Sequence, residues 1–586
     1  MSNDFSRMLS DRLGMFVHFG LYSAFAGKYN GKEIEGLGEW IQRLAEIPIS
    51  EYEAFGRANF CPDRDFAKNL VKRAKAAGFR YIVLTSKHHD GVCLFKSAAD
   101  SYNSYEYFGR DLCRELVDAC REEGLEVGFY YSHALDWHEK NAGGNYTLSQ
   151  PDKPARNRNF WDFPDDNIDY EEYFRRKCMP QVRELLSNYG NLKCIWFDYP
   201  HDISQAQSLE LRNLVKELQP NCLINSRIGH GLCDYFSLGD NGLPNTPTKN
   251  PTECLITVNR TWGYKENDHD YTTPDAIINI MCRTLSTRAT LLLNVGPMPD
   301  GSLTPETEEI LSVIGEWTGR NSEAIYGGIK PNPYKTVFDW GCLTVGKNAI
   351  YIYPDKEKDI ISISGIKTPP ISASLLGDER RIDIDYDKSK LSLKTVTENI
   401  LRPVYKISFS EEPQISSELE IDSTRSSLPV TYAFIEKRSD IGKIINFPHE
   451  YDVEDGMFGK RGTALTRIDS LHHWESSDDT IVWNADFLEC GEYRAEIIYA
   501  EPSFETYCSE PDSQILYKLT VGEQTCNVSK EVKYSFNINS ASSETIRYAK
   551  DGGNFKIENA GKYTIKLSKE SDELGLGLLE VRFIKI

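Results

Sequence analysis

From Leu13 to about Ile325, short β-branched or aromatic runs alternate with longer amphipathic stretches, the pattern of successive strand-helix units. Eight runs predict strands, at 16–19, 81–85, 127–131, 194–198, 222–225, 235–238, 255–258 and 290–294. Between them, apolar positions at helical spacing predict helices over 65–77 and 111–123, closed by Gly78 and Gly124, and over 170–187, 204–218, 274–286 and 304–320. Eight strands with intervening helices predict an α/β fold, a (β/α)8 TIM-like barrel over 1–327. Beyond Gly327 the pattern changes to short strands with turn-rich joints, and residues 328–410 read as a small antiparallel β domain. The Glu/Ser-rich stretch 411–429 reads as a linker, and 430–586 as a β-sandwich for which carbohydrate binding and support of the barrel are both open.

Composition narrows the function. The chain has 586 residues, 40% of them hydrophobic and 26% charged, an ordinary globular make-up that excludes a largely disordered class. Its net charge of −21 and lack of any Lys/Arg-rich run argue against a nucleic-acid partner, because nothing would displace the counterions of a phosphate backbone. No stretch of about 18 apolar residues is present, so no membrane helix is expected. Residues 1–12 lack an apolar signal region and the fourteen cysteines form no C-x-x-C pair, which together predict reduced thiols and a cytoplasmic location. The oligomeric state has no signature in the sequence.

A barrel gathers its chemistry where strands end and βα loops begin. Those positions carry His18, Glu39-Trp40, His88-His89-Asp90, Tyr130-Tyr131-Ser132, Trp196-Phe197-Asp198, Arg227, Asp240-Asn241, Glu253, Trp262 and Asn294. An Asp closing a strand often caps the next helix, but Asp198 is poorly placed to cap one beginning near Ser204, which favours chemistry. Adjacent histidines in a strand or turn point apart, and no His-Glu-x-x-His spacing occurs, so no metal or other cofactor is expected. Trp40 and Trp262, taken singly, read more readily as core than as a sugar platform, and their weight comes from their neighbours.

Six motifs occur in order: Gly14-Met-Phe-Val-His-Phe-Gly20, Thr85-Ser-Lys-His-His-Asp-Gly91, Gly128-Phe-Tyr-Tyr-Ser132, Trp196-Phe-Asp198, Thr261-Trp-Gly-Tyr264 and Leu291-Leu-Leu-Asn-Val-Gly-Pro-Met-Pro-Asp-Gly301. In this order and spacing the chain closely resembles the α-L-fucosidases of glycoside hydrolase family 29, over about residues 10–330 and more weakly to about 410. The resemblance implies a retaining exo-glycosidase acting on fucosylated oligosaccharides or glycosides. It implies Asp198 as nucleophile, with His18, Glu39, Trp40, His88, His89, Tyr131, Trp196 and Arg227 holding the fucose ring and hydroxyls. Trp262 matches an aromatic on the methyl-bearing side. A retaining mechanism needs a carboxylate and a proton donor ~5 to 5.5 Å apart across the anomeric carbon. Histidines and an arginine would bind hydroxyls by charge-assisted hydrogen bonds.

One departure bears on that mechanism. In relatives with a Gly-Asp-Asn loop the following residue is Glu and matches the acid/base, whereas this chain reads Gly239-Asp240-Asn241-Gly242. Asp240 and Glu253 are therefore the candidate acid/base residues, with a loop-shaping Asp240 and a Glu253 paired to Arg227 or Arg260 as the plainer alternatives. Because Gly242 cannot transfer a proton, a weakly catalytic or non-catalytic sugar-binding relative is the competing expectation.

Overall fold

In a computed structural model, residues 9–142, 159–164, 167–200, 203–355, 358–378, 380–396, 400–439, 444–445, 464–465, 471–472, 474, 476–500, 515–537, 546–572 and 575–586 are described. All eight expected barrel strands are present: β1 (Leu13–Val17), β2 (Tyr81–Lys87), β3 (Glu126–Ser132), β4 (Cys194–Asp198), β5 (Leu223–Ile224), β6 (Phe236–Ser237), β7 (Thr252–Thr257) and β8 (Ala289–Val295). They pair in the order β5-β4-β3-β2-β1-β8-β7-β6, and the pairs in this path are parallel. A parallel bridge from Asn225 to Tyr235 joins β5 to β6 and closes the barrel. Gly14 on β1 permits close packing, since a Cβ there would lie 2.2 Å from the Tyr81 ring.

Helices between the strands cover the outer face. The helix Leu112–Glu123 begins where the Asp111 carboxylate accepts the Arg114 amide and ends at a left-handed Gly124, as its flanking residues imply. Ser204 and Gln207 form a reciprocal capping box on Gln205–Leu218, and Pro274–Ser286 and Pro305–Arg320 each start with a Thr cap followed by proline. The helix expected over 170–187 loosens into a π-type turn at Phe174–Cys178, ahead of Pro180, which has no N–H to give.

The small β unit is a five-stranded sheet with a three-stranded companion, built from strands between Gly341 and Ser408. It docks on the barrel helices through a bidentate Arg402–Asp275 pair and the Trp317 indole N–H, which donates to the Arg402 carbonyl. The segment read as a linker does more than connect. Glu420–Ile421 pairs with Asp486–Phe487, and Ser427–Pro429 with Glu580–Arg582, so it supplies strands to both sheets of the terminal sandwich. No described helix is long and apolar enough to cross a membrane.

Candidate active site

Successive strand side chains point to opposite faces. On β4 this turns Cys194, Trp196 and Asp198 inward, stacking a three-storey column inside the barrel. Phe16, Tyr81, Val83, Tyr130, Leu255, Trp262 and Leu292 fill the interior around it. Trp196 is the floor beneath Asp198: it lies nearly parallel to Tyr130 at 5.6 Å and packs against Phe16 at 5.2 Å.

Asp198, on the last residue of β4, is held from several sides. One carboxylate oxygen, Oδ1, accepts from Arg227 Nη1 at 2.9 Å and from the Tyr199 amide at 2.9 Å. The other, Oδ2, accepts from the Tyr130 hydroxyl at 2.8 Å and faces His89 Nε2 at 3.8 Å. Burial opposes ionisation, but the Arg227 guanidinium, His89 and the hydrogen bonds outweigh it and hold the Asp198 carboxyl below its ordinary value. Arg227 lies 5.0 Å from the Trp196 ring and bridges Asp198 to Asp240 with its two terminal nitrogens.

The imidazoles differ from the sequence expectation in their charge. Burial lowers the His18 and His89 values to about 4 and takes His88 well below its usual range, so near neutral pH all three are uncharged. They can hydrogen-bond hydroxyls as neutral groups, without charge assistance. His18 Nδ1 is fixed by Asn294 Oδ1 at 2.7 Å, and His89 Nδ1 by Ser132 Oγ at 2.7 Å. His88 stacks on Tyr130 at 5.3 Å and meets His89 at 4.2 Å. Trp40 sets its edge against His89 and Trp137, each 5.3 Å away, and Trp262 packs on His18 at 5.4 Å. Glu39 is buried, accepting from the Gly263 amide at 2.8 Å and the Thr261 hydroxyl at 3.2 Å, and burial raises its carboxyl to about 7.

Two expected site residues stand elsewhere. Tyr131 points outward from β3, donating to Gln181 Oε1 at 2.8 Å on a barrel helix, while its neighbour Tyr130 holds Asp198. Glu253 lies near the start of β7, four residues before Thr257 closes the strand, and is fully buried. It accepts from the Trp196 indole N–H at 2.8 Å and the Tyr81 hydroxyl at 3.2 Å, which puts it on the far side of Trp196 from Asp198. It pairs with neither Arg227 nor Arg260 in the hydrogen bonds of the described residues. Asp240 belongs to the mouth: its side chain is 40% exposed and its carboxylate contacts Arg227. Behind it, Asn241 takes a left-handed φ of 58° and accepts the Thr257 amide, shaping the loop around Asp240.

Tyr130, Asn294, Ser132 and Tyr199 complete the site without having been assigned roles from sequence. Of possible metal ligands among the described residues, Asp100, His138 and Glu139 converge, but Lys177 Nζ lies 2.5 Å from Asp100 and 3.4 Å from Glu139 and already supplies the cation.

A strand-end carboxylate kept ionised over an aromatic floor, ringed by neutral hydrogen-bonding imidazoles, is suited to a sugar ring and its anomeric carbon, and the class these features define is a barrel glycoside hydrolase. Comparison with known proteins narrows it: residues 6–323, over half of the chain, match the Alpha-L-fucosidase family, and the chain belongs to that family. An α-L-fucosidase of Paenibacillus thiaminolyticus is 31% identical, with 70% of this chain and 99% of that one covered at a TM-score of 0.62. One from Lactobacillus casei is 38% identical over 55% of this chain and all of that one, at a TM-score of 0.52. The tissue α-L-fucosidase of Bos taurus is 27% identical over 63% of this chain and 79% of its own length. The Vibrio enzyme, 24% identical at a TM-score of 0.79, covers 99% of this chain and extends the likeness of fold through the β units.

Proposed function

We propose that the protein is a retaining exo-α-L-fucosidase acting on terminal α-L-fucosyl residues of glycans or glycosides, with Asp198 as nucleophile and Asp240 as acid/base. The observation that carries this is Asp198 itself, an ionised carboxylate whose two oxygens are both oriented at the barrel mouth. In the first step an Asp198 oxygen bonds to the anomeric carbon as the glycosidic C–O bond breaks, and Asp240 gives its proton to the leaving oxygen. In the second, Asp240 takes a proton from water, whose oxygen displaces Asp198 and releases fucose. One guanidinium, that of Arg227, bridges the two carboxylates at the mouth.

Glu39, Trp40, His18, His88, His89, Arg227 and Trp196 surround the place of the sugar, with Trp262 against its methyl side. The Lactobacillus casei relative, solved with fucose product and as an Asp-to-Ala variant with Fucα(1,6)GlcNAc, supports the same substrate class here. No disulfide joins the thirteen cysteines among the described residues, which suits a reducing compartment, and we propose a cytoplasmic location. The terminal sandwich is read as a support for the barrel, whose Thr246 hydroxyl donates to Thr431 at 3.0 Å, and as a candidate carbohydrate-binding unit.

Gly242 favours a second reading, a sugar-binding relative without turnover. One experiment separates them: hydrolysis of 4-nitrophenyl α-L-fucoside and a fucosyl disaccharide by wild type and Asp198→Asn, followed by proton NMR. Turnover that releases α-L-fucose first and is lost in the variant supports the retaining enzyme; β-fucose first would reject retention, and no turnover would favour binding.

A further inference from the structure

Immediately after Asp198 the chain does something costly. Tyr199 takes a left-handed backbone with φ of 59°, although it is neither Gly, Asn nor Asp. For an ordinary L-residue this region is disfavoured by roughly five- to thirtyfold, and strain of this kind persists only where its surroundings enforce it. The following Pro200 also disfavours the right-handed helical alternative at this position. The Tyr199 ring is lodged edge-on against His89 at 5.6 Å and Trp40 at 6.1 Å, and its amide donates to Asp198 Oδ1 at 2.9 Å.

Without that amide, Oδ1 would keep only Arg227, a partner already shared with Asp240. We propose that the left-handed backbone of Tyr199 is a positioning device for the nucleophile, reversing the chain at the strand end so that its amide stays on Oδ1, with the ring serving as the wedge that maintains the turn. The inference rests on Asp198 being the nucleophile. The groups facing Asp198 are Arg227, and through it Asp240, together with Tyr130 and His89, with His18 and His133 nearby.

The test replaces Tyr199 by residues ranked by tolerance of a left-handed backbone, and reads kcat, the acid limb of kcat/KM with 4-nitrophenyl α-L-fucoside, and thermal stability. If the backbone carries the role, Tyr199→Asn and Tyr199→Gly stay within about fivefold of wild type in kcat, Tyr199→Ala falls about tenfold and Tyr199→Val about thirtyfold or more. The acid limb then moves up by about half to one pH unit in Val, because the ionised carboxylate has lost a donor, and by less in Gly. A common fall in Asn, Gly, Ala and Val with an unmoved acid limb would assign the effect to the ring and overturn the proposal. The Asn, Gly and Ala members keep the ranking decisive even if Val fails to fold. Failure of the nucleophile assignment shows itself separately, as turnover surviving in Asp198→Asn.

Discussion

Two buried carboxylates occupy the same barrel, one on either side of Trp196, and ionise in opposite directions. Asp198 above the indole meets a guanidinium, an imidazole, a phenol and a backbone amide, and its carboxyl is held below the ordinary value. Glu253 below it is hydrogen-bonded by the neutral Trp196 and Tyr81 donors, and burial outweighs these bonds and the more distant Lys193 and Arg227 to raise its carboxyl to about 7. Burial alone therefore does not make a nucleophile; a cation in direct hydrogen-bond contact does, and Arg227 makes that contact with Asp198 while acting on Glu253 only from a distance. The lower carboxylate serves the upper indirectly, by fixing the indole on which Tyr130 and Arg227 rest.

The comparison breaks most severely at the upper site. Asp198→Asn is expected to lower kcat about ten-thousandfold or more, because no bond to the anomeric carbon can form, whereas Glu253→Gln should stay within about fivefold. Comparable losses in the two variants would remove the distinction. Next in size is Asp240→Ala, expected to cost about a hundred- to ten-thousandfold on a fucosyl disaccharide and far less on 4-nitrophenyl α-L-fucoside, whose leaving group needs little protonation. Steady-state rates on both substrates check this, and an equal loss would take the acid role away from Asp240.

The neighbouring tyrosines sharpen the same contrast along one strand. Tyr130→Phe removes a hydrogen bond to an ionised carboxylate and is expected to lower kcat/KM about ten- to hundredfold, while Tyr131→Phe, whose hydroxyl donates to Gln181 away from Asp198, should stay within about twofold. A larger effect at Tyr131, measured with the aryl fucoside, would reverse the assignment of faces.

That pair also marks where sequence stops informing. The eight strands are visible as runs because each is short, apolar and bounded by helical stretches, and Asp198 stands out at the end of Ile-Trp-Phe. Which of Tyr130 and Tyr131 faces inward is hidden, since barrel strands are buried on both faces and carry no polar alternation to choose a side. Glu253 was obscured differently: the apolar run suggested a strand from 255, while the strand begins at Thr252 with polar residues inside the barrel. The neutral state of the histidines follows from burial among aromatics brought together from distant strands. In 411–429, strands of two and three residues are too short to show a period.

At Glu253 a small change in turnover is expected to accompany a clear change in stability. Native Glu253 ionises near 7 and an unfolded glutamate near 4.5, so between these values the folded protein binds the extra proton. Its contribution to stability is therefore fully present below about 4.5, falls as pH rises, and above 7 is lower by about 3 kcal/mol. In Glu253→Gln the carbonyl can accept from Trp196 and the amide can donate to Tyr81 without any charge, so this dependence disappears. Asp198 has the opposite sign: with its carboxyl held below the ordinary value, the stability it adds is present above that value and is lost as pH falls through the lowered one. Thermal melts from pH 2 to 8 should then show Glu253→Gln gaining on wild type as pH rises above about 4.5, and Asp198→Asn gaining only as pH falls below about 4, with its difference flat from there to neutrality. Parallel difference curves would mean that the two carboxylates share one environment, and the division of the barrel at Trp196 would not stand.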